Sequence, residues 1–120
     1  MREPHWHPET AEMGYVSSGK GRMSILNGQG HLETYVMEKG DLYFIPKAYP
    51  HHIENLTKKD LHILVFFDQP APADIGLTAS VLSQPSELLA ACMHTDPHFF
   101  SSLKKYYKDQ FLVEKINPTD

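Results

Sequence analysis

His5-Trp6-His7 sets two imidazoles two residues apart, and in a strand residues i and i+2 project from the same face. Glu12 follows after four residues and Gly19 after six more. A second element lies far downstream. Gly40 precedes Pro46 by five intervening residues, and His51 and Asn55 complete Pro46-Lys47-Ala48-Tyr49-Pro50-His51-His52-Ile53-Glu54-Asn55. Alone, the first pair reads as solvated surface histidines. Two spaced elements in this order displace that reading, because three imidazoles and one carboxylate converging inside a barrel form a divalent-metal site. Neutral nitrogen donors with one hard oxygen suit manganese, iron, nickel or zinc. His52 neighbours His51 on a strand and is expected to face away from the ion. His31, His62, His94 and His98 have no partner spacing and read as solvated or satisfied side chains.

The elements that position these residues are short strands broken by turn residues. Gly14 to Ser18 is followed by Gly19-Lys20-Gly21, and Arg22 to Leu26 runs into Asn27-Gly28-Gln29-Gly30, whose Asn-Gly pair is a strong hairpin signal. His31 to Met37 alternates and closes on Lys39-Gly40-Asp41. Leu42 to Ile45 ends at Pro46, and Thr57-Lys58-Lys59-Asp60 separates His51 to Asn55 from Leu61 to Phe67. Six or so such strands at this spacing predict an antiparallel barrel or sandwich over about residues 1–67. After Asp68 the pattern changes. Gln69-Pro70-Ala71-Pro72-Ala73 cannot be a central strand, since its prolines donate no ladder bond. Ser83, Pro85 and Glu87 open a helical stretch, and Thr95-Asp96-Pro97 opens another carrying Phe99, Phe100, Leu103, Tyr106 and Tyr107. The expectation is one domain over 1–120: a β-barrel with a linker and helical appendage over about 68–120, the aromatic stripe serving as packing or interface.

Charge and composition exclude several function classes. The 120 residues carry 15 acidic and 11 basic side chains, a formal charge of −4, with no lysine-arginine run. That argues against nucleic acid or an anionic membrane surface as partner. No stretch of eighteen apolar residues occurs, so no membrane-spanning helix is expected. The polar Met1-Arg2-Glu3-Pro4-His5 start predicts no signal peptide. A single cysteine, Cys92, excludes an intrachain disulfide and suits a reducing compartment, the cytoplasm.

The two spaced elements resemble the paired motifs of the cupin superfamily. More closely, Met1 to His7, Gly40 to Phe44 and Pro50-His51 are similar to oxalate decarboxylase, a two-cupin, manganese-dependent family. The likeness extends through Ala73-Asp74-Ile75-Gly76-Leu77 and Pro85 to Ala91. The gap before Glu12 and the Ala-Asp-Ile segment resemble that family's C-terminal cupin in particular. The resemblance implies a cupin double-stranded β-helix, a jelly-roll barrel. It implies His5, His7, Glu12 and His51 as metal ligands, manganese as the favoured ion with iron, zinc or nickel as alternatives, and Arg2 as the residue engaging a substrate carboxylate.

Departures from the family pattern shape the functional expectation. Ala48 replaces the second-motif glycine, a change expected to be tolerated if that backbone has negative φ. The family's catalytic glutamate, fourteen residues after the histidine ligand, corresponds to Val65, and the other family cupin's glutamate-bearing lid has no match in Pro70 to Thr78. Asp74 is the acidic residue there and the candidate substitute acid. Three neutral imidazoles, one carboxylate and a divalent ion carry about +1, and Arg2 is expected to raise the pocket to about +2, attractive to a small dicarboxylate. The expectation is therefore a metal-binding single-domain cupin that binds a small carboxylate such as oxalate. The alternatives are an active manganese-dependent oxalate decarboxylase or oxidase, or a metal-dependent dioxygenase. Tyr43 and Tyr49 fit the pocket mouth and the core equally. Unpaired strand edges predict a homodimer, with the helix Phe99 to Tyr107 at the contact.

Overall fold

The computed structural model describes residues 1–103 and 110–114. Among these, eight strands come first: β1 (Arg2–Trp6), β2 (Glu12–Ser18), β3 (Lys20–Leu26), β4 (Leu32–Glu38), β5 (Leu42–Ile45), β6 (His51–Asn55), β7 (His62–Phe67) and β8 (Ile75–Gly76). Three helices follow: α1 (Leu77–Leu82), α2 (Ser86–Met93) and α3 (Pro97–Ser101). The strands form two antiparallel sheets, ordered β4-β3-β6-β1-β8 and β5-β2-β7. Alternation in the sequence decides which faces meet. Val16, Met23, Ile25, Met37, Tyr43 and Ile45 point inward and form the barrel core, with Tyr49, Ile53, Leu61 and Ile63 packed against it. Each fully buried apolar side chain of this kind contributes about 1.5–3 kcal/mol.

The β3–β4 hairpin forms as its Asn-Gly turn predicts. The Asn27 side-chain oxygen accepts from the backbone N–H groups of Gln29 and His31, and Gly30 takes φ +81°. The next turn uses Gly40 at φ +100° to enter β5.

Several expectations need correction. Among the described residues the strands number eight, since the strand of His5 and the two-residue β8 add to the six of the alternating pattern. β8 lies within the segment assigned to the linker, and two residues leave no periodicity to read. Helix α1 was also unexpected: no capping side chain marks its start at Gly76. Ala48 has φ +64°, so the condition for an easy glycine replacement fails. An L-residue there costs about 1–2 kcal/mol. The loop keeps that conformation and donates the Ala48 N–H to the His7 carbonyl at 2.9 Å.

The appendage has its own small core of Leu89, Ala90 and Phe100, with Val81 against it. Asp96 caps α3, its carboxylate accepting the His98 N–H at 2.7 Å. Phe99 stays 57% exposed, so the aromatic stripe splits between core and surface. Tyr106 and Tyr107 lie outside the described residues.

Candidate metal centre

Strand β1 supplies His5, and His7 follows just past its end. Glu3, His5 and His7 alternate inward and are all buried. Between Arg2 and His5 the register against β6 slips, Arg2 opposing Ile53 and His5 opposing His51. Three steps along β1 thus match two along β6, which is a β-bulge. In an unbroken strand Arg2 and His5, three residues apart, would face opposite sides. The bulge brings Arg2 to the wall of the pocket that His5, His7 and Glu12 also line. Glu12 opens β2, and His51 opens β6 opposite His5.

One donor atom from each of His5, His7, Glu12 and His51 lies within 4.8 Å of all the others. The four side chains are 1–4% exposed. Each imidazole gives its Nδ1 to a backbone carbonyl: His5 to Glu3 at 2.8 Å, His7 to Ala73 at 2.8 Å and His51 to Tyr49 at 2.9 Å. Those bonds place the proton on Nδ1 and leave the Nε2 lone pairs for a cation, the arrangement that orients metal-bound histidines. His51 Nε2 is buried without a hydrogen-bond partner, 3.4 Å from Glu12 Oε2. His7 Nε2 sits 3.0 Å from the same oxygen while its Nδ1 faces the Ala73 carbonyl. A neutral ring cannot donate from both nitrogens. A cation among the four donors resolves both problems, so the residues fit a divalent ion.

Glu12 is fixed from its other oxygen. Tyr43 Oη donates to Glu12 Oε1 at 2.7 Å, and Tyr43 is 4% exposed. Gly14 makes this possible, since a Cβ there would fall inside the Tyr43 ring. Tyr43 therefore belongs to the core and orients the Glu12 carboxylate. Tyr49 packs on the core and contributes its carbonyl to His51.

The electrostatics follow from burial and these contacts. Burial pushes the Glu12 carboxyl up, but the His51 imidazole, the Tyr43 hydroxyl and His7 outweigh it and hold the group at about 2. Burial, then repulsion from His51, lowers His5 to about 4, the Glu3 carbonyl opposing. Burial and the facing Glu12 carboxylate raise the Tyr43 hydroxyl. Glu12 is thus an anion and His5 a neutral base at neutral pH, the states that coordination needs.

The pocket lined by His5, His7 and Glu12 has a volume of about 300 Å³ and is also lined by Arg2, Val65, Phe67, Asp74 and Phe111. Arg2 does not stand free. Its Nη2 pairs with Asp74 Oδ2, its Nη1 donates to the Phe111 carbonyl at 3.3 Å, and the Phe111 ring centre lies 3.9 Å from its Cζ. The expected pocket charge of about +2 is therefore corrected, because Asp74 offsets Arg2. Val65 does reach the pocket, on the inner face of β7. His52 lines a second, apolar hollow with Pro4, Leu26, Leu32, Pro50 and Leu77, and His51 borders that hollow as well. Asn55 organises the turn after β6, accepting the Thr57 N–H and donating to the Lys59 carbonyl.

Sequence reasoning missed a buried carboxylate next to the site and one wall residue. Glu3, 1% exposed, accepts from Thr78 N and Oγ1 and from Phe111 N. Burial raises this carboxyl, but the Thr78 hydroxyl, the Phe111 and Thr78 N–H groups and Arg2 prevail and lower it. Its alternation with His5 and His7 was the available signal. Phe111 had none. It reaches the pocket because residues 111–113 run along β1, with Glu3 N–Phe111 O at 3.0 Å and Val113 N–Met1 O at 2.8 Å.

Comparison with known proteins agrees with the motifs. The family model described as Cupin matches residues 1–98. The chain is 34% identical over 105 residues to the oxalate decarboxylase OxdC of Bacillus subtilis (strain 168), covering 88% of this chain and 27% of the relative. It is 30% identical over 111 residues to the oxalate oxidase GF-3.8 of Triticum aestivum, covering 87% of this chain and 50% of that protein. The solved structure of the Bacillus decarboxylase at pH 4.6 superposes with a TM-score of 0.85 at 32% identity, over 95% of this chain and 29% of the other. The chain thus spans less than a third of the length of the Bacillus protein. A matching family model over most of the chain, a barrel of the same shape and a clustered set of candidate ligands together show that this chain belongs to the cupin family.

Proposed function

We propose that this chain is a metal-binding cupin that binds a small carboxylate such as oxalate at His5, His7, Glu12 and His51. The observation carrying the reading is the buried cluster of three Nδ1-anchored imidazoles and one carboxylate, with His51 Nε2 left unsatisfied. Manganese is the favoured ion, supported by the mixed nitrogen and oxygen donor set and by the Mn(II) centres of the related Bacillus subtilis oxalate decarboxylase. Bound there, a divalent cation would supply Lewis-acid polarisation of a carboxylate oxygen. The chain's own residues hold the anion in place. Arg2 offers a guanidinium across the pocket, while Phe67, Phe111 and Val65 give it apolar walls. Asp74 is the acidic wall residue besides Glu12 and the candidate to move a proton if turnover occurs. With Val65 in the place of a family carboxylate, binding is better supported than rapid decarboxylation.

The same reading takes the whole chain as one domain, barrel plus appendage, and as a homodimer. The outer face of β5-β2-β7 carries the apolar rows Phe44-Met13-Phe66 and Leu42-Tyr15-Leu64. Five of these six side chains are 44–66% exposed. At about 100 Å² each they offer on the order of 500 Å², a large part of the roughly 800 Å² per partner of a stable interface. A second copy is the proposed occupant. Among the described residues no helix is long and apolar enough to cross a membrane, and the free, exposed Cys92 supports a cytoplasmic setting.

The test is metal analysis coupled to oxalate calorimetry. Wild-type protein loaded with manganese is expected to hold one ion per chain and bind oxalate, while His51→Ala loses both. Full metal occupancy in His51→Ala rejects the ligand assignment. Carbon dioxide or peroxide release from oxalate at family rates would replace the binding reading with the enzymatic one.

A further inference from the structure

We infer that Asp74 is an internal carboxylate occupying the Arg2 arm, a built-in competitor that limits how strongly the pocket takes a ligand bridging the metal cluster and Arg2. The inference rests on the carboxylate-binding reading above and deepens it. Arg2 is held on three sides: Asp74 at Nη2, the Phe111 carbonyl at Nη1 and the Phe111 ring against the guanidinium plane. Its side chain is 11% exposed and that of Asp74 34%. Both line the pocket of His5, His7 and Glu12. A guanidinium binds carboxylates through paired N–H donors, and one Nη2 donor here already serves such a group.

Two consequences follow from charge. Arg2 and Asp74 cancel, so an incoming anion feels the ligand set and its cation rather than a second positive centre. A dicarboxylate with one end at the ligand cluster brings its other carboxylate beside Asp74. Like charges a few ångströms apart in a partly desolvated pocket oppose each other strongly enough to weaken binding about tenfold or more. A short monocarboxylate that reaches only the ligand cluster escapes most of that repulsion. Asp74 thus discriminates among carboxylates by their reach. The neighbouring Ala73 carbonyl holds the His7 ring, so the Ala73-Asp74 pair joins a ligand-orienting contact to the specificity contact. Metal content is therefore checked in every variant.

Calorimetric titration of oxalate and of formate into manganese-loaded wild type, Asp74→Asn, Arg2→Gln and the double variant tests the inference. Asp74→Asn is expected to bind oxalate about tenfold more tightly or better, with a smaller change for formate. The gain should shrink in the Arg2→Gln background, where no guanidinium is freed and only the Asp74 repulsion is relieved. Asp74→Ser serves as a second variant if the amide disturbs metal loading. Unchanged or weaker oxalate binding at equal metal content, with wild type binding oxalate, overturns the inference alone. Absence of oxalate binding in all four metal-loaded proteins overturns the carboxylate reading and the inference with it.

Discussion

Each candidate imidazole spends one ring nitrogen on a main-chain carbonyl, and Glu12 spends one oxygen on Tyr43. Removing the Tyr43 hydroxyl leaves Glu12 Oε1 buried without its donor. Loss of such an orienting partner typically weakens metal binding 10–100-fold, and Tyr43→Phe is expected to do so with the fold retained. Unchanged manganese affinity in a competition titration would show that Glu12 needs no support. Protonation acts on the same group of residues. His5 sits at about 4 against 6.5 for the ordinary imidazole, so the unfolded chain binds the extra proton between those values. Glu12 sits at about 2 against 4.5, so its contribution is complete above 4.5 and lost as pH falls through about 2. Both shifts make metal-free protein less stable on acidification, beginning near pH 6.5 and flat above it. Urea unfolding at a series of pH values checks the sign, and equal stability at pH 7 and pH 4 contradicts it. Val65 belongs to this scale too. A missing acid-base group typically costs 10²–10⁴-fold in rate, so Val65→Glu is expected to raise any oxalate turnover of the metal-loaded protein. No gain with metal intact assigns the limit to the unmatched lid segment.

At the scale of elements, strand β1 is the structural hinge of the site. It carries Arg2, Glu3 and His5 and leads straight into His7, pairs with β6 and β8, and is flanked by residues 111–113. The loop between β5 and β6 ties to it through Ala48 N–H and His7 O. Ala48 holds that loop at φ +64°, where a Cβ meets the following carbonyl. Ala48→Gly is expected to stabilise the protein by about 1 kcal/mol, the relief of left-handed strain less the added freedom of the unfolded chain. A denaturation midpoint that falls in Ala48→Gly would show that the methyl group packs usefully.

At the scale of the whole molecule, the apolar outer face of β5-β2-β7 and the exposed Phe99 are surfaces that water solvates poorly. Sedimentation is expected to give a dimer at micromolar concentration. Phe66→Asp, central to neither the core nor the metal pocket, is expected to give monomers that still load metal. A wild-type monomer, or a Phe66→Asp dimer of undiminished strength, removes this face as the contact. The helix proposed for that contact ends, among the described residues, at Ser101.

The sequence by itself determined the strand class, the turns and the candidate ligand set. Alternation, Asn-Gly and Gly-rich turns, and the H-x-H pair are local patterns, and local patterns survive without coordinates. His51 joined His5 and His7 through motif spacing, although its pairing with His5 is long-range. The tertiary structure decided everything that depends on register or on distant chain. Strand parity puts Arg2 on the wrong face, and only the bulge opposite β6 turns it into the pocket. Asp74 neutralises Arg2 across 72 positions, and Phe111 reaches Glu3 across 108. Such contacts carry no periodicity. They arise when packing brings remote segments to one wall, where a buried charge is stable only with its partners in place.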